Sequence, residues 1–164
     1  MLAGSHLIFA NAIFSNLTQN NLSAFILGII SHHLADRLPH LDLNLIKHTK
    51  YNNINFFKLP LKIQLLIYFE FLIGIFFVYY YFIEVYKINN FIIFYLSLGS
   101  ILPDILNIFL KNKLEKINLF NYYFRFHKNF HFRLSDNTNK FKVLLIQIII
   151  LIISLVFFRL SLTN

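Results

Sequence analysis

Hydrophobic residues along the chain gather into five long runs. The runs cover 5–17, 22–38, 61–86, 91–110 and 141–160. A helix needs about 20 apolar residues to cross a hydrocarbon core, so the last three runs are long enough to span a bilayer. The first two are shorter and are joined by the polar turn 16–21, which predicts a helical hairpin that is either tilted or partly re-entrant. The pattern predicts one domain over 1–164, an all-α integral membrane bundle of about five transmembrane or partly re-entrant helices.

The amino-acid composition is typical of a chain that is surrounded by a lipid bilayer. Hydrophobic residues make up 57% and charged residues 13%, whereas soluble domains carry roughly 25% charged residues. The 15 basic residues outnumber the 7 acidic ones, but they occupy separate loops and form no continuous basic face, so no nucleic acid is expected as a partner. The absence of cysteine leaves only nitrogen and oxygen ligands for a metal. The expected partner is membrane lipid, and no oligomeric state is predicted.

The distribution of Lys and Arg predicts an orientation. These residues concentrate in the loops 39–60 and 111–140, while the turn 16–21 has none and Lys87 stands alone between the third and fourth runs. Cytoplasmic loops carry the excess of Lys and Arg in membrane proteins. We therefore expect both basic loops and the N-terminus to be cytoplasmic, with a bacterial inner membrane as the location.

Histidines and acids collect at the cytoplasmic end of this arrangement. His32 and Asp36 are four residues apart, as are His127 and His131, so each pair can share a helix face. A carboxylate at membrane depth costs about 2.5–3.5 kcal/mol on insertion scales, and a metal ion would supply its counter-charge. The expected cofactor is a divalent metal, Zn²⁺ first, with Mn²⁺ or Fe²⁺ as alternatives. The candidate ligands are His6, His32, Asp36, His40, Asp104, His127 and His131.

Some of these residues also have simpler interpretations. Asp104 follows Pro103 and could bind backbone amides that a proline kink frees. The basic and aromatic segment 122–133 could be an interfacial helix on anionic lipid. His33 fits an interfacial or solvated histidine better than a ligand, and Glu70 is a weak candidate for an additional ligand.

The same residues resemble a known family. The segment 31–42 is similar to the pattern Ser-His-x-x-x-Asp-x-x-Pro-His-x-Asp of small bacterial membrane proteins described as membrane-bound metal-dependent hydrolases, which are distantly similar to zinc-dependent phospholipase C. The early His6, the segment 99–104 and the late histidine pair follow in the expected order, so the resemblance covers residues 1 to about 132. It implies that the metal ligands or their close supports are His6, His32, Asp36, Asp104, His127 and His131, with His40 and Asp42 as further candidates.

These observations lead to a hydrolase as the expected function. A bound metal would activate water against a lipid or another membrane-associated ester at the cytoplasmic face. Asp36 or Asp104 would act as the general base if it is not a ligand. The residues expected to hold an anionic head group are Arg125, Lys128 and Arg133. The alternatives are a metal-ion or proton transport protein and a non-catalytic structural membrane protein, but the one-sided distribution of His and Asp favours an active site over a conduit.

Overall fold

The computed structural model describes residues 3–40, 60–114, 116–130, 132 and 139–163. Every regular element in these ranges is helical, which confirms the all-α prediction. The α-helices are α1 (Ala3–Phe14), α2 (Asn21–Arg37), α3 (Leu61–Val78), α4 (Asn90–Ile105), α5 (Lys111–Leu114), α6 (Asn118–Phe130) and α7 (Lys140–Ser161). A π-helix, Tyr79–Val85, continues α3, and another, Leu106–Leu110, continues α4. Three of the described helical segments are long and apolar enough to cross a membrane, namely Leu61–Val85, Asn90–Leu110 and Phe141–Ser161.

The short helix α1 lies at the centre of the bundle. It packs against α2, α3, α4 and α7, and most of its residues are buried. Its 12 residues extend for only about 18 Å, less than the roughly 30 Å of a hydrocarbon core. By contrast, α3 and α7 turn large apolar side chains outward, Phe69 and Ile153 among them. The first half of the predicted hairpin is therefore an enclosed helix surrounded by lipid-facing ones.

Asparagine side chains define the starts of three helices. Asn20 Oδ1 accepts hydrogen bonds from the first amides of α2, with a distance of 2.8 Å to the nitrogen of Leu22. Asn89 and Asn139 do the same at the starts of α4 and α7, at 2.9 Å and 3.0 Å. Asparagine is among the preferred N-cap residues because its oxygen satisfies amides that have no partner inside the helix. These caps place the first turn of each helix within two residues of its predicted boundary.

Two helices, the short α5 and the longer α6, lie where the predicted bundle had only a loop. The segment 111–140 contains α6, whose buried residues are Phe124 and His127. Its other faces expose Leu119, Tyr122 and Arg125. A search for long apolar runs misses such a helix because only one narrow face is apolar and buried. The alternative interpretation, an interfacial helix over 122–133, predicted this element, although α6 starts four residues earlier and ends at Phe130.

Two glycine contacts set the separation of the helices. A Cβ atom at Gly99 of α4 would collide with the carbonyl oxygen of Phe25 in α2, and one at Gly28 with that of Leu96. Gly4 of α1 and Gly74 of α3 form a second contact of this kind. Small residues let backbones approach closely in membrane bundles. The contact between α2 and α4 lies about one turn from His32 and therefore controls which part of α4 that histidine meets.

We expect Gly99→Ala to destabilise the protein because the added methyl group meets backbone that cannot move aside. Overpacking of this kind costs about 1–3 kcal/mol. The measurement is the thermal unfolding midpoint in detergent. Phe94→Ala, on an exposed position of the same helix, is the control and should shift the midpoint less. Equal midpoints for Gly99→Ala and the parent protein would contradict this account of the contact.

Candidate metal centre

Four helices bring histidines and acids together at one end of the bundle. The first turn of α1 supplies His6, and the last two turns of α2 supply His32 and Asp36. Asp104 lies near the end of α4, and His127 near the end of α6. His40 lies three residues after the end of α2 and is buried. Of the other predicted site residues, Asp42, His131 and Arg133 lie outside the described residues.

Asp36 is the centre of this cluster. Its Oδ2 lies 3.0 Å from Nε2 of His32, and its Oδ1 lies 3.3 Å from Nε2 of His6. Nε2 of His40 and Nδ1 of His127 each lie 3.9 Å from one of its oxygens. The side chain of Asp36 is only 2% exposed. A carboxylate so far from water requires charged or hydrogen-bonding partners, and imidazoles surround it.

Backbone carbonyls fix the tautomers of two of these histidines. Nδ1 of His32 lies 2.7 Å from the carbonyl oxygen of Ser100, and Nδ1 of His40 lies 2.6 Å from that of Leu38. A carbonyl oxygen can only accept, so each Nδ1 carries a proton, and in the neutral ring Nε2 has a free lone pair. Histidines that bind metals through one nitrogen commonly donate the other N–H to a carbonyl or carboxylate. In both neutral rings, Nε2 therefore lies on the side of Asp36 with a lone pair that can bind a metal ion.

The geometry of these nitrogens is compatible with a metal site. Nε2 of His32 and both ring nitrogens of His6 make no hydrogen bond within the described residues, although Asp36 oxygens lie at 3.0 and 3.3 Å. A protonated imidazole would point its N–H at the oxygen. Donor atoms of a tetrahedral zinc ion lie about 3.3 Å apart and point at the ion instead of at each other. His6, His32 and Asp36 therefore fit a divalent cation, as do His32, Asp104 and His127 by distance.

Asp104 gives the cluster its exposed side. Its Oδ1 lies 3.8 Å from Nε2 of His32, and its side chain is 23% exposed, whereas the side chain of His32 is fully buried. The preceding Pro103 is buried inside α4, and the helix widens into its π-helical segment at Leu106. Proline removes one helical hydrogen bond, and π-helical turns are frequent at functional sites. The Asp104 carboxylate thus lies beside His32 at a point where the helix is irregular.

Tyr123 belongs to the site and was missed in the sequence. Its ring lies parallel to that of His127, with centroids 6.2 Å apart, and its hydroxyl is buried with no hydrogen bond among the described residues. Burial, followed by the negative charges of Asp104 and Asp36, raises the pKa of Tyr123. The hydroxyl therefore stays protonated and able to donate. The spacing of four residues between Tyr123 and His127 is the feature of the sequence that could have identified Tyr123 as a site residue.

Glu70 has a structural role in α1. Its carboxylate accepts hydrogen bonds from the backbone amides of Gly4 and Ser5, both at 2.9 Å, and from the Ser5 hydroxyl at 3.1 Å. Gln147 of α7 donates to the same hydroxyl at 3.0 Å. An acid at a helix N-terminus satisfies free amides and interacts favourably with the helix dipole. Glu70 thus fixes the residue that precedes His6, rather than contributing a ligand.

The remaining contacts hold α6 against the end of α2. The amide of Phe132 donates to the carbonyl of Asp36 at 2.7 Å, and the guanidinium of Arg37 lies 4.5 Å from the ring centre of Phe130. His33 is half-buried and makes an edge contact with Phe126 at a centroid distance of 5.4 Å. His33 is therefore a packing residue between two helices, not a solvated side chain.

The predicted head-group residues of α6 lie on its outer side. Arg125 and Lys128 are exposed, whereas His127 between them is buried. Arg125 lines a surface groove with Tyr122, Phe126 and other residues of α6. Arg125 and Lys128 therefore lie on the outer surface of α6 and not among the residues of the histidine cluster.

Comparison of this chain with protein-family models, with curated proteins and with solved structures finds no match. The family resemblance therefore depends on the motif residues alone.

If the cluster binds a divalent cation, the cation should stabilise the folded protein. A ligand at 100 times its dissociation constant adds about 2.7 kcal/mol to the free energy of unfolding. We expect Zn²⁺ or Mn²⁺ to raise the unfolding midpoint of the detergent-solubilised protein and Asp36→Ala to abolish the rise. His33→Phe, which keeps an aromatic ring between α2 and α6, is the control and should retain it. An unchanged midpoint for the parent protein across a metal titration would contradict a metal site.

Proposed function

We propose that this protein is a membrane-embedded metal-dependent hydrolase that acts on a lipid or another membrane-associated phosphoester at one membrane face. The observation that carries the proposal is the burial of Asp36 among the donor nitrogens of His6, His32, His40 and His127. Such a set of nitrogen and oxygen donors without thiolates suits Zn²⁺, Mn²⁺ or Fe²⁺. The partly exposed Asp104 supports access from one side.

In the proposed hydrolysis, the residues of the site have separate roles. When bound, the metal supplies Lewis-acid chemistry, which lowers the pKa of water from 15.7 to about 7 and polarises a phosphoryl oxygen. Asp36 and the histidines hold the metal. Asp104 accepts the proton of the attacking water because its carboxylate is beside the cluster and reaches the exposed side. The buried hydroxyl of Tyr123 donates a hydrogen bond to an oxygen of the substrate.

The outer face of α6 is suited to bring an anionic substrate to this site. Its exposed residues combine the positive charges of Arg125 and Lys128 with the apolar side chains of Leu119 and Tyr122. Helices of this kind lie at the membrane surface and attract anionic lipids. Arg133 is part of the same proposal on the basis of the sequence. Its position lies outside the described residues.

The test is hydrolysis of a panel of phospholipids and phosphodiesters by the metal-loaded protein in mixed micelles. We expect turnover that a chelator abolishes and Zn²⁺ or Mn²⁺ restores. Asp104→Asn should stay folded and bind metal but lose on the order of 10²–10⁴ in rate, the usual contribution of a general base. Metal-loaded protein with no chelator-sensitive turnover of any substrate in the panel would refute the hydrolase proposal.

The orientation of the site has a separate test. The turn that contains Lys87 follows the segment Leu61–Val85, while Lys116 follows the next segment, Asn90–Leu110, so the two lysines lie at opposite ends of the bundle. The chain has no cysteine, so single cysteines at these positions can be labelled without background. We expect labelling of Lys116→Cys only from the cytoplasmic side and of Lys87→Cys only from outside. The reverse result would place the site at the outer face.

A second candidate function, transport of a metal ion or proton, has one observation in its favour. Behind the histidine cluster, Asn11 donates a hydrogen bond of 2.9 Å to the hydroxyl of Ser97 inside the bundle. Oδ1 of Asn11 and the hydroxyl of Ser15 are buried with no hydrogen bond among the described residues. Polar residues inside a membrane can mark an ion path. Metal or proton flux into proteoliposomes that Asn11→Leu blocks would favour transport over hydrolysis.

A further inference from the structure

The histidine cluster lies some distance inside the nearer ends of the three membrane-length segments. Glu70 and Gln147 both hydrogen-bond to Ser5 in the first turn of α1, and Asp104 lies beside His32. These three residues are nine, six and six positions from the nearer ends of Leu61–Val85, Phe141–Ser161 and Asn90–Leu110. At a rise of about 1.5 Å per residue, the distances along the helices are about 14, 9 and 9 Å. The cluster is therefore deeper than the plane in which these segments end.

The outward side chains between this level and the segment ends are apolar on α3 and α7. After its first turn, α3 exposes Leu65 and Leu66, and α7 exposes Leu144 and Ile146 before Gln147. Apolar surface is more stable against hydrocarbon than against water. On this side of the bundle, the hydrocarbon of the bilayer therefore extends past the level of the cluster.

A groove opens on this apolar side, between α1 and α3. Its volume is about 350 Å³, within the roughly 300–1,000 Å³ of typical ligand pockets. Leu66, Phe69 and Ile73 of α3 line it and are largely exposed, so the groove is open to the surroundings of the bundle. Ile8 lines it from α1. The side chains around the opening are thus suited to an apolar ligand.

The first turn of α1 separates this groove from the histidine cluster. Gly4 and Ser5 line the groove, and the ring of the next residue, His6, stacks on that of His32. Both oxygens of Glu70 accept hydrogen bonds from the same turn. The Glu70 carboxylate is therefore turned toward α1, and a molecule in the groove lies within one helical turn of the residue that carries the His6 ring.

We infer that the groove binds a hydrocarbon chain of a membrane lipid, whose head group then lies beside the histidine cluster. The groove lies at the depth of the hydrocarbon and has an apolar opening. By contrast, α6 exposes Arg125 and Lys128 next to the buried His127, and such charges attract anionic head groups. An amphiphile matches both surroundings. The inference rests on the proposed function and deepens it, because it makes the substrate a long-chain lipid.

The test uses tryptophan fluorescence, since the chain has no tryptophan. Phe69→Trp places a probe in the groove. Phe76→Trp is the matched control, because Phe76 lies two turns further along α3, is 68% exposed against 66% for Phe69, and is not among the residues that line the groove. The protein in detergent is titrated with phosphatidylglycerol that carries brominated acyl chains, which quench tryptophan on contact. We expect quenching of Phe69→Trp to saturate at a low mole fraction of lipid and quenching of Phe76→Trp to rise in proportion to it.

A second substitution connects the groove with turnover. Ile73→Phe adds volume at the groove and should shift the saturation of Phe69→Trp to higher lipid. Leu72→Phe, at an exposed position outside the groove, should leave it unchanged. In the hydrolysis assay, Ile73→Phe should raise KM for a long-chain phospholipid and leave KM for a short-chain soluble phosphodiester as it is.

The outcomes separate this inference from the proposed function. Quenching of Phe69→Trp that only follows the mole fraction of lipid would overturn the inference and leave a metal-dependent hydrolase in place. Absence of quenching would mean that protein, such as a second copy of the chain, covers the groove, and would also overturn it. Saturable quenching without hydrolysis of any substrate would support the lipid site and refute the hydrolase. An unchanged KM of Ile73→Phe for the long-chain substrate would overturn the role of the groove in substrate binding.

Discussion

The burial of the Asp36 carboxylate inside an apolar bundle is the constraint from which the rest of this structure follows. The side chain is 2% exposed, and an ionised carboxylate in such surroundings is very costly without compensating charge. The imidazoles of His6, His32 and His127, from three helices, and that of His40, from the segment after α2, surround it. Two of these rings are held by backbone carbonyls in the tautomer that turns a lone pair inward. Protonated rings could supply the counter-charge, but two stacked imidazolium ions 4.1 Å apart would repel each other.

The helix contacts of the bundle serve to bring these groups within reach. The close approach of Gly28 and Gly99 sets α2 against α4, so that His32 meets the carbonyl of Ser100 and faces Asp104. Glu70 then holds the first turn of α1 through backbone amides. A short central helix fixed in this way delivers His6 at a definite depth, which a longer lipid-facing helix with freedom to tilt would not do.

The sequence predicts the parts of this arrangement that depend on local periodicity. The apolar runs identify three membrane-length segments because length and hydropathy suffice for them, and the spacing of four residues predicts that His32 and Asp36 share a face. A search for apolar runs does not detect tertiary packing. It therefore predicts neither the enclosed position of α1 nor the helix α6. Glu70 was considered as a ligand because composition cannot show that a helix N-terminus lies beside it. The stacking of His6 on His32 is equally a property of packing.

The external surface of the bundle determines where a substrate can come from. The described faces of α3 and α7 are apolar and lie outward, so they are suited to lipid chains and not to water. Within the cluster, Asp104 has the most exposed side chain among the acids and histidines whose ion pairs define it. It lies at the end of the bundle that α6 covers with exposed basic and aromatic side chains. The substrate that we propose, a phosphoester held at the membrane surface, would have its charged group at this end of the bundle and its chains in the bilayer. Such a molecule could reach the cluster without leaving the membrane, whereas a freely soluble ester would gain nothing from the apolar faces on either side.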